Sequence, residues 1–197
     1  MSDEKVSVRD RRRLETLSQI HRSAQELVLS KGLAEAKVEE IAKDCGISRR
    51  TFFNYFTTKE DAVLGLCSPT LPPESVDRFS QSKEGILSRA TWLVVDVIRT
   101  STVQGSSGAK RKELRLLYPE LTRRFEVRAA ASEALVREVI VGKATAEEAD
   151  LFNQDIDVLL GLVQVVIRHA YRIDSEIKDP SIHQAIEIFK STIRKIT

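Results

Sequence analysis

The chain has 197 residues, of which 42% are apolar and 30% are charged, and 31 Lys and Arg stand against 29 Asp and Glu. This length suits one domain of ordinary size, or a small and a larger domain that share a core. The formal charge of +2 is too small for a basic coat over the whole surface, so nucleic-acid binding would have to rest on local charge. With 8 Gly and 5 Pro, the composition argues against β-sandwich and Rossmann-type folds and favours helices.

Several classes of protein find no support in the sequence. The polar residues 1–10 show no signal peptide, and Cys45 and Cys67 form no disulfide framework, so we expect a cytoplasmic protein with free thiols. No apolar run approaches the roughly 20 residues that a membrane-spanning helix requires, and no membrane partner is expected. The three histidines lack a metal-binding spacing, and neither a glycine-rich phosphate loop nor a serine nucleophile motif is present. We therefore expect no cofactor and no enzymatic activity.

Helical periodicity runs through the first 67 residues. A first helix is predicted from near Asp10 to Gly32, where glycine suits the position that ends a helix. A second helix is predicted at Val38–Asp44 and a third at Arg49–Tyr55, with Ser48 placed to cap its free N–H groups. A fourth, short helix follows.

The remainder of the chain predicts a linker and then a helical bundle. Residues 68–82 hold three of the five prolines and are predicted to be a linker. Apolar stripes at helical spacing then recur, the longest over 146–173 and 180–196. With about nine helices and no run of period two, we expect an all-α fold. It would consist of an N-terminal three-helix domain with its helix-turn-helix over residues 1–67 and a larger C-terminal helical bundle over residues 68–197.

The strongest local pattern, over residues 38–56, predicts a helix-turn-helix. Gly46 can adopt the positive φ of a tight turn, and the small Ala42 lets the two helices approach closely. The residues left on the outward side of the second helix are cationic or hydrogen-bonding and include no acid: Ser48, Arg49, Arg50, Thr51, Asn54 and Tyr55. This composition favours a polyanionic partner. The alternative is an ordinary corner between two helices with a solvated polar face.

A second basic cluster precedes the first helix and enters its first turn. It comprises Arg9, Arg11, Arg12 and Arg13. Cations at a helix N-terminus oppose the helix dipole, so their presence favours an external anion such as the phosphates or the minor groove of DNA. The alternative is a solubilising tail.

Residues 13–66 resemble the DNA-binding domain of the tetracycline-repressor (TetR/AcrR) family of transcriptional regulators. The resemblance is carried by AQELVLSKG at 24–32, VEEIA at 38–42, CGISRRTFFNYF at 45–56 and TKED at 58–61. It implies a homodimer that binds double-stranded DNA at a pseudo-palindromic operator. It also implies that the C-terminal helices form the dimer and sense a small-molecule effector, which would release a repressor from its operator.

The expected DNA contacts combine this resemblance with side-chain chemistry. Arg49 and Arg50 are the candidate base readers, because a guanidinium pairs bidentately with guanine. Lys37 stands where the family commonly has a Ser or Thr that contacts the DNA backbone. Phe53 stands where the family often has a phosphate-binding Tyr, a role that Tyr55 would take in part. The full set expected to contact DNA is Arg11, Arg12, Lys37, Ser48, Arg49, Arg50, Thr51, Asn54, Tyr55 and Lys59.

Two further sets of residues are candidates in the C-terminal part. An effector pocket would be lined by Trp92, Tyr118, Phe125, Phe152 and His169, with a place in the core as the alternative for each. The dimer interface would draw on the long C-terminal stripes, at Phe152, Leu159, Val163, Val166, Ile182, Ile186 and Phe189. The sequence leaves open which of these side chains face a partner and which face their own core.

Three other functions remain as alternatives at this point. The first is a DNA-binding regulator that responds to no ligand. The second is a helical protein–protein adaptor, which would show no salt-sensitive affinity for duplex DNA. The third is a helical enzyme with a cavity in the C-terminal domain, for which no general base, nucleophile or metal cluster is visible.

Overall fold

A computed structural model of the protein describes residues 8–152, 156–174 and 178–196. Over these ranges the chain forms eleven helices and no extended strand. In chain order they are α1 (Val8–Lys31), α2 (Val38–Asp44), α3 (Arg49–Tyr55), α4 (Lys59–Leu64), α5 (Pro73–Gln81), α6 (Ile86–Ser101), α7 (Gly108–Leu117), α8 (Pro119–Lys143), α9 (Ala146–Phe152), α10 (Ile156–Ile173) and α11 (Asp179–Ile196).

The predicted all-α class is confirmed, with two more helices than the sequence indicated. The expected linker over 68–82 contains α5. Pro73 opens this helix, and because the first N–H groups of a helix have no intrahelical acceptor, a proline there removes no bond. The segment 146–173 contains α9 and α10 as separate helices rather than one. Residues 153–155 between them lie outside the described part of the chain.

The chain divides into two compact units, and each is built from several segments that are not contiguous in the sequence. The first unit joins the described part of Met1–Ser68 to Ser101–Ser106 and Lys110–Arg128. The second unit comprises the rest. A boundary between functional domains at residue 67 stays a prediction, but the first unit takes in two later segments, including the first residues of α8.

The core of the first unit is built on the apolar face of α1. Leu17, Ile20, Ala24 and Val28 recur at helical spacing and are buried. They belong to one cluster with side chains from α2, α3, α4 and the first turn of α8, among them Ile41, Phe52, Phe56, Leu64 and Leu121. The cluster holds the short helices α2 to α4 in place, since helices of six or seven residues are not stable alone.

Two polar side chains of α1 tie it to α4. His21 donates from Nδ1 to the carbonyl oxygen of Ala62 at 2.7 Å, and Gln25 donates from Nε2 to the carbonyl oxygen of Val63 at 3.1 Å. These carbonyls lie in the last turn of α4, where the regular i to i+4 backbone bonds of the helix end. Burial lowers the pKa of His21, and the nearby Arg111 and Lys110 act in the same direction, while the bond to Ala62 opposes them.

Replacing Gly65 by Ala is expected to reduce the free energy of unfolding by about 2–4 kcal/mol. Gly65 has φ +64°, and a Cβ atom there would lie 2.9 Å from Cε1 of the buried His21. Gly46→Ala is the matched control, because Gly46 has φ +65° but a Cβ atom there would have no neighbour within 4 Å; we expect a loss of about 1 kcal/mol. Urea denaturation measures both. Equal losses would show that contact with His21 contributes nothing.

The second unit contains its own apolar core. It is formed mainly by α6, α8, α10 and α11, with Leu93, Val97, Ile140, Val163 and Ile182 among the buried side chains. The two long C-terminal helices α10 and α11 pack on each other. No helix in the described ranges combines the length and apolar composition needed to cross a membrane.

Candidate nucleic-acid interface

Helices α2 and α3 form the helix-turn-helix that the sequence indicated. Gly46 has a φ of +65° in the turn between them. Ser48 lies at the N-cap of α3, and its Oγ accepts a hydrogen bond from the Thr51 N–H at 3.0 Å, which confirms its predicted capping role. Phe52 points inward and is fully buried, and the residues on the opposite side of α3 are exposed.

The outward surface of α3 carries cations and hydrogen-bonding groups. Ser48, Arg49, Arg50 and Asn54 are exposed. Tyr55 is half-buried and packs against the core of the first unit, while Phe53 is exposed. Because α3 contains no acid, this surface is suited to a row of phosphates and base edges in a major groove.

The two arginines of α3 differ in their surroundings. Arg49 forms an ion pair with Glu39 of α2, with 3.2 Å between Nη1 and Oε1, and its Cζ lies 5.6 Å from the centroid of the Phe53 ring. Arg50 is exposed and forms no ion pair with any residue in the described ranges. Arg49 is therefore held against the protein, and Arg50 extends into solvent.

The two lysines expected to contact DNA also differ. Lys37 is exposed at the N-cap of α2, where its backbone N–H donates to Glu40 Oε2 at 3.2 Å. The ammonium of Lys59 donates to the carbonyl oxygens of Leu33 at 2.6 Å and Ala36 at 3.0 Å. An ammonium has three protons, so Lys59 ties the connection between α1 and α2 to α4 with two of them. The sequence could not show this structural role, because both acceptors are backbone atoms.

The basic cluster near the N-terminus lies inside α1 rather than ahead of it. The helix begins at Val8, and Arg11 and Arg12 are exposed on its first turns. Residues 1–7 lie outside the described part of the chain. The four arginines of the predicted basic cluster therefore lie on the N-terminal end of α1, within residues 8–13.

A charged cluster that the sequence did not reveal links α4 to α8. The fully buried carboxylate of Asp61 receives two bonds from Arg124, at 2.7 and 2.5 Å, and two from Arg128, at 3.1 and 2.6 Å. Arg128 also donates to Thr57 Oγ1 at 2.9 Å. Bidentate guanidinium–carboxylate pairs are strong and geometrically specific. In the sequence, Asp61 stands three residues after Thr58, a spacing typical of a helix cap, and no local pattern indicates a partner 63 residues away.

The electrostatics of this cluster favour the ionised carboxylate. Burial by itself raises the pKa of Asp61, but the hydrogen bonds and charges of Arg124 and Arg128 outweigh it, and the pKa lies below the ordinary aspartate value. The same pairing raises the pKa of Arg124. Asp61 and Arg124 are therefore both charged at neutral pH.

The candidate pocket residues are divided between the two units. Tyr118 and Phe125 pack against the core of the first unit, whereas Trp92 and His169 belong to the second. Trp92 lines a cleft, and His169 is partly buried on α10. Phe152 ends α9, and its side chain lies outside the described part of the chain. Each unit thus contains two of the four described residues.

Most of the candidate dimer residues are enclosed within their own chain. Within a single chain Leu159, Val163, Val166, Ile182 and Ile186 are no more than 7% exposed, and Phe189 is half-buried against the same core. A side chain enclosed by its own chain offers no surface to a partner. Besides Ile173 at the end of the helix, the exposed apolar residues of α10 are Val158, Leu162 and Val165. Their spacing of four and three residues places them in one row on the helix.

Comparison with known proteins singles out the same short helices. The family model described as bacterial regulatory proteins, tetR family, matches residues 20–64. The HTH-type transcriptional regulator EthR of Mycolicibacterium smegmatis is 45% identical over 49 residues, which are 25% of this chain and 23% of that protein. The match thus spans about a quarter of that relative's length.

Two further likenesses extend over most of the chain. The HTH-type transcriptional regulator TcmR of Streptomyces glaucescens is 26% identical over 185 residues, which are 89% of this chain and 82% of that protein. A solved structure described as a TetR-family transcriptional regulator from Mesorhizobium loti is 18% identical, with a TM-score of 0.32, and the alignment covers 92% of this chain and 98% of that one.

The family match and the helix-turn-helix geometry fall on the same segment. Residues 20–64 span the later part of α1 and all of α2, α3 and α4. This segment contains the glycine turn, the Ser48 cap and the acid-free helix α3. The chain is therefore similar, over residues 20–64, to the tetR family of bacterial regulatory proteins.

Proposed function

We propose that this protein is a transcriptional regulator that binds operator DNA with α3 in the major groove and represses transcription by occupying the operator. The observation that carries the proposal is the exposed, acid-free surface of α3, with Arg50 extending into solvent beside Arg49. Both relatives are named as HTH-type transcriptional regulators, which supports the same function.

The contacts divide into two kinds. Arg49 and Arg50 read base edges, since guanidinium groups discriminate guanine by two hydrogen bonds. Other side chains fix the register without reading sequence. Arg11, Arg12, Lys37 and Lys59 meet phosphates, with Ser48, Thr51, Asn54 and Tyr55 as hydrogen-bonding neighbours. The phosphate contacts make affinity fall with salt concentration.

A mobility-shift experiment tests this function directly. The full-length protein is titrated into duplex DNA that flanks its own gene, with a scrambled duplex of equal length as competitor, at several salt concentrations. We expect a retarded complex that survives the competitor and weakens with salt. A helical adaptor would give no salt-sensitive retardation, and that result would overturn the proposal.

Replacing Arg50 by Ala is expected to cost about 1–3 kcal/mol on the operator, or about 5- to 150-fold in Kd, and to relax the base preference at one position. Arg49→Ala is expected to cost less, because wild-type Arg49 must first leave Glu39. Glu39→Gln is the matched control: it frees Arg49 and removes a carboxylate near the phosphates, so binding should tighten. If both arginine variants bind like the parent, α3 is not the recognition helix.

The protein would act as a homodimer through α10. The exposed row of Val158, Leu162 and Val165 lies away from the core of the second unit, and Ile188 of α11 is also exposed. Apolar rows of this kind on a packed helix pair are typical of helical interfaces. A two-fold dimer would place two α3 helices about 34–36 Å apart, which suits successive major grooves of a pseudo-palindrome.

An effector would regulate the complex by favouring one spacing of the two recognition helices over another. A ligand shifts such an equilibrium only by its difference in affinity for the two states. The second unit is the expected place for this ligand. A regulator that responds to no ligand is the alternative, and it would stay bound to the operator with every compound tested.

A further inference from the structure

A cleft of about 230 Å³ opens in the second unit between α5, the start of α6 and the start of α11. Its wall combines aromatic rings with arginines, and the lining includes Arg78, Phe79, Arg89, Trp92 and His183. The volume is near the lower end for ligand pockets, so its occupant would be a small molecule with a single ring.

Arg89 is the central group of this wall. Its side chain is 8% exposed, and its Nη1 and Nη2 atoms lie 3.0 and 3.1 Å from the two carboxylate oxygens of Glu148. Its Cζ lies 4.5 Å from the centroid of the Phe79 ring. The Nε atom is buried and has no hydrogen-bond partner in the described part of the chain. A buried N–H group on a cation that lacks an acceptor is a site for an incoming oxygen.

The aromatic side of the cleft is organised around Trp92. The Trp92 ring meets His183 edge to face at a centroid distance of 4.9 Å, and the Arg78 Cζ lies 5.7 Å from the Trp92 centroid. Arg78 also pairs with Asp96 but is half exposed, which leaves its guanidinium access to an anion at the mouth of the cleft. Flat rings pack favourably beside such aromatic walls.

The acids around the cleft restrict the charge of the occupant. Glu148 and Asp96 pair with the two arginines, and Asp179 pairs with Arg99 at 2.6 Å, so these charges are largely balanced. Glu84, also in the lining, is exposed. Because these charges are balanced, the cleft has no excess of positive charge to match a multiply charged anion. A single carboxylate can use the remaining Arg89 donor.

We propose that this cleft binds a small aromatic monocarboxylate, whose carboxylate accepts a hydrogen bond from Arg89 Nε and whose ring packs beside Trp92 and His183. The inference deepens the effector part of the proposed function, on which it rests, by naming its site and its chemical class. Binding itself requires neither DNA nor a dimer, and it is therefore testable apart from the regulator function.

Trp92 is the only tryptophan in the chain, so its fluorescence reports on this cleft alone. The full-length protein is titrated with benzoate and phenylacetate, with neutral benzamide as the matched uncharged probe. We expect a saturable change with a carboxylate, and binding of benzamide at least about tenfold weaker. No saturable change up to about 10 mM of either carboxylate, which bounds Kd to weaker values, would overturn the proposal. Equal binding of benzamide would overturn it too.

Two arginine variants distinguish the loss of the Arg89 contact from a loss of folding. Arg89→Lys keeps a cation but removes the Nε donor, and we expect binding at least about fivefold weaker. Arg115→Lys is the control, since Arg115 of the first unit also stacks on an aromatic ring, with Cζ 4.0 Å from the Phe125 centroid, and also has a buried Nε without a partner among the described residues. It should leave benzoate binding unchanged. Circular dichroism verifies that both variants are folded; unchanged binding in folded Arg89→Lys contradicts the assignment.

The mobility-shift experiment is then repeated with saturating benzoate. Failure to retard DNA in the absence of ligand refutes the regulator function and leaves the fluorescence result standing. Retardation without any fluorescence response to the carboxylates refutes the cleft assignment and leaves the regulator function standing.

Discussion

Replacing Asp61 by Asn is expected to lower the free energy of unfolding by about 3–5 kcal/mol. The substitution keeps the shape of the side chain but leaves Arg124 and Arg128, both largely enclosed, without the carboxylate that each holds by two bonds. An unpaired charge away from water is far more costly than the pair it came from. Urea denaturation of the full chain measures the loss.

Asp157→Asn is the matched control for this experiment. Asp157 also pairs with an arginine, Arg137, but its side chain is 73% exposed. Ion pairs in water are screened and contribute little, so the control should lose much less stability. Similar losses in the two variants would show that burial of Asp61 gives its ion pairs no special weight.

The pH dependence of the parent provides a second measurement on the same cluster. Because the pKa of Asp61 is lower in the folded chain than in the unfolded chain, the unfolded state takes up a proton first as the pH falls. The stability that Asp61 contributes is thus fully present above the ordinary aspartate pKa and is lost as the pH falls through it toward the lower folded value. The Asp61→Asn variant should show a flatter acid limb than the parent.

Replacing Val165 by Glu is expected to give a folded monomer that loses operator binding by on the order of 10²-fold or more. Val165 is 48% exposed in the row on α10, so the charge disturbs the proposed interface and not the core. Light scattering measures the mass: about twice 22.2 kDa for the parent and 22.2 kDa for the variant. Gln164→Glu places the same charge on the neighbouring, exposed residue outside the row and should remain dimeric.

Two outcomes would contradict the dimer proposal. A parent mass near 22.2 kDa would remove the dimer and the pseudo-palindromic operator together. A dimeric Val165→Glu variant that still binds the operator would place the interface elsewhere. A charge at the neighbouring Val166 is not a substitute test, because Val166 is fully buried and we expect a charge there to unfold the chain.

Local patterns in the sequence predicted the local structure well. The Ser48 cap and the glycine turn depend on residues a few positions apart, and the structure contains both. The helix α5 was missed because three prolines within residues 68–82 suggested a linker, although a proline is well suited to begin a helix.

Contacts between distant segments were not predictable in the same way. Periodicity shows that Val163 and Val165 lie on different sides of a helix, but it does not show which side the rest of the chain covers. Likewise, nothing in TKED at residues 58–61 indicates that the acid faces an arginine 63 residues further on. The contacts of Lys59 were equally unpredictable, because its acceptors are backbone carbonyl oxygens, which every residue type has.

The discontinuous first unit limits how this protein can be taken apart. A fragment that ends at residue 68 keeps the whole helix-turn-helix but loses Leu114 and Leu121 from its core and both partners of Asp61. A chimera that joins residues 1–68 to the remainder of a relative would therefore place the helix-turn-helix against core residues and charged partners from another protein. A fragment that keeps the whole first unit must also include residues 101–106 and 110–128. We therefore expect a new operator preference to arise more readily by substitution on α3 than by recombination at the end of α4.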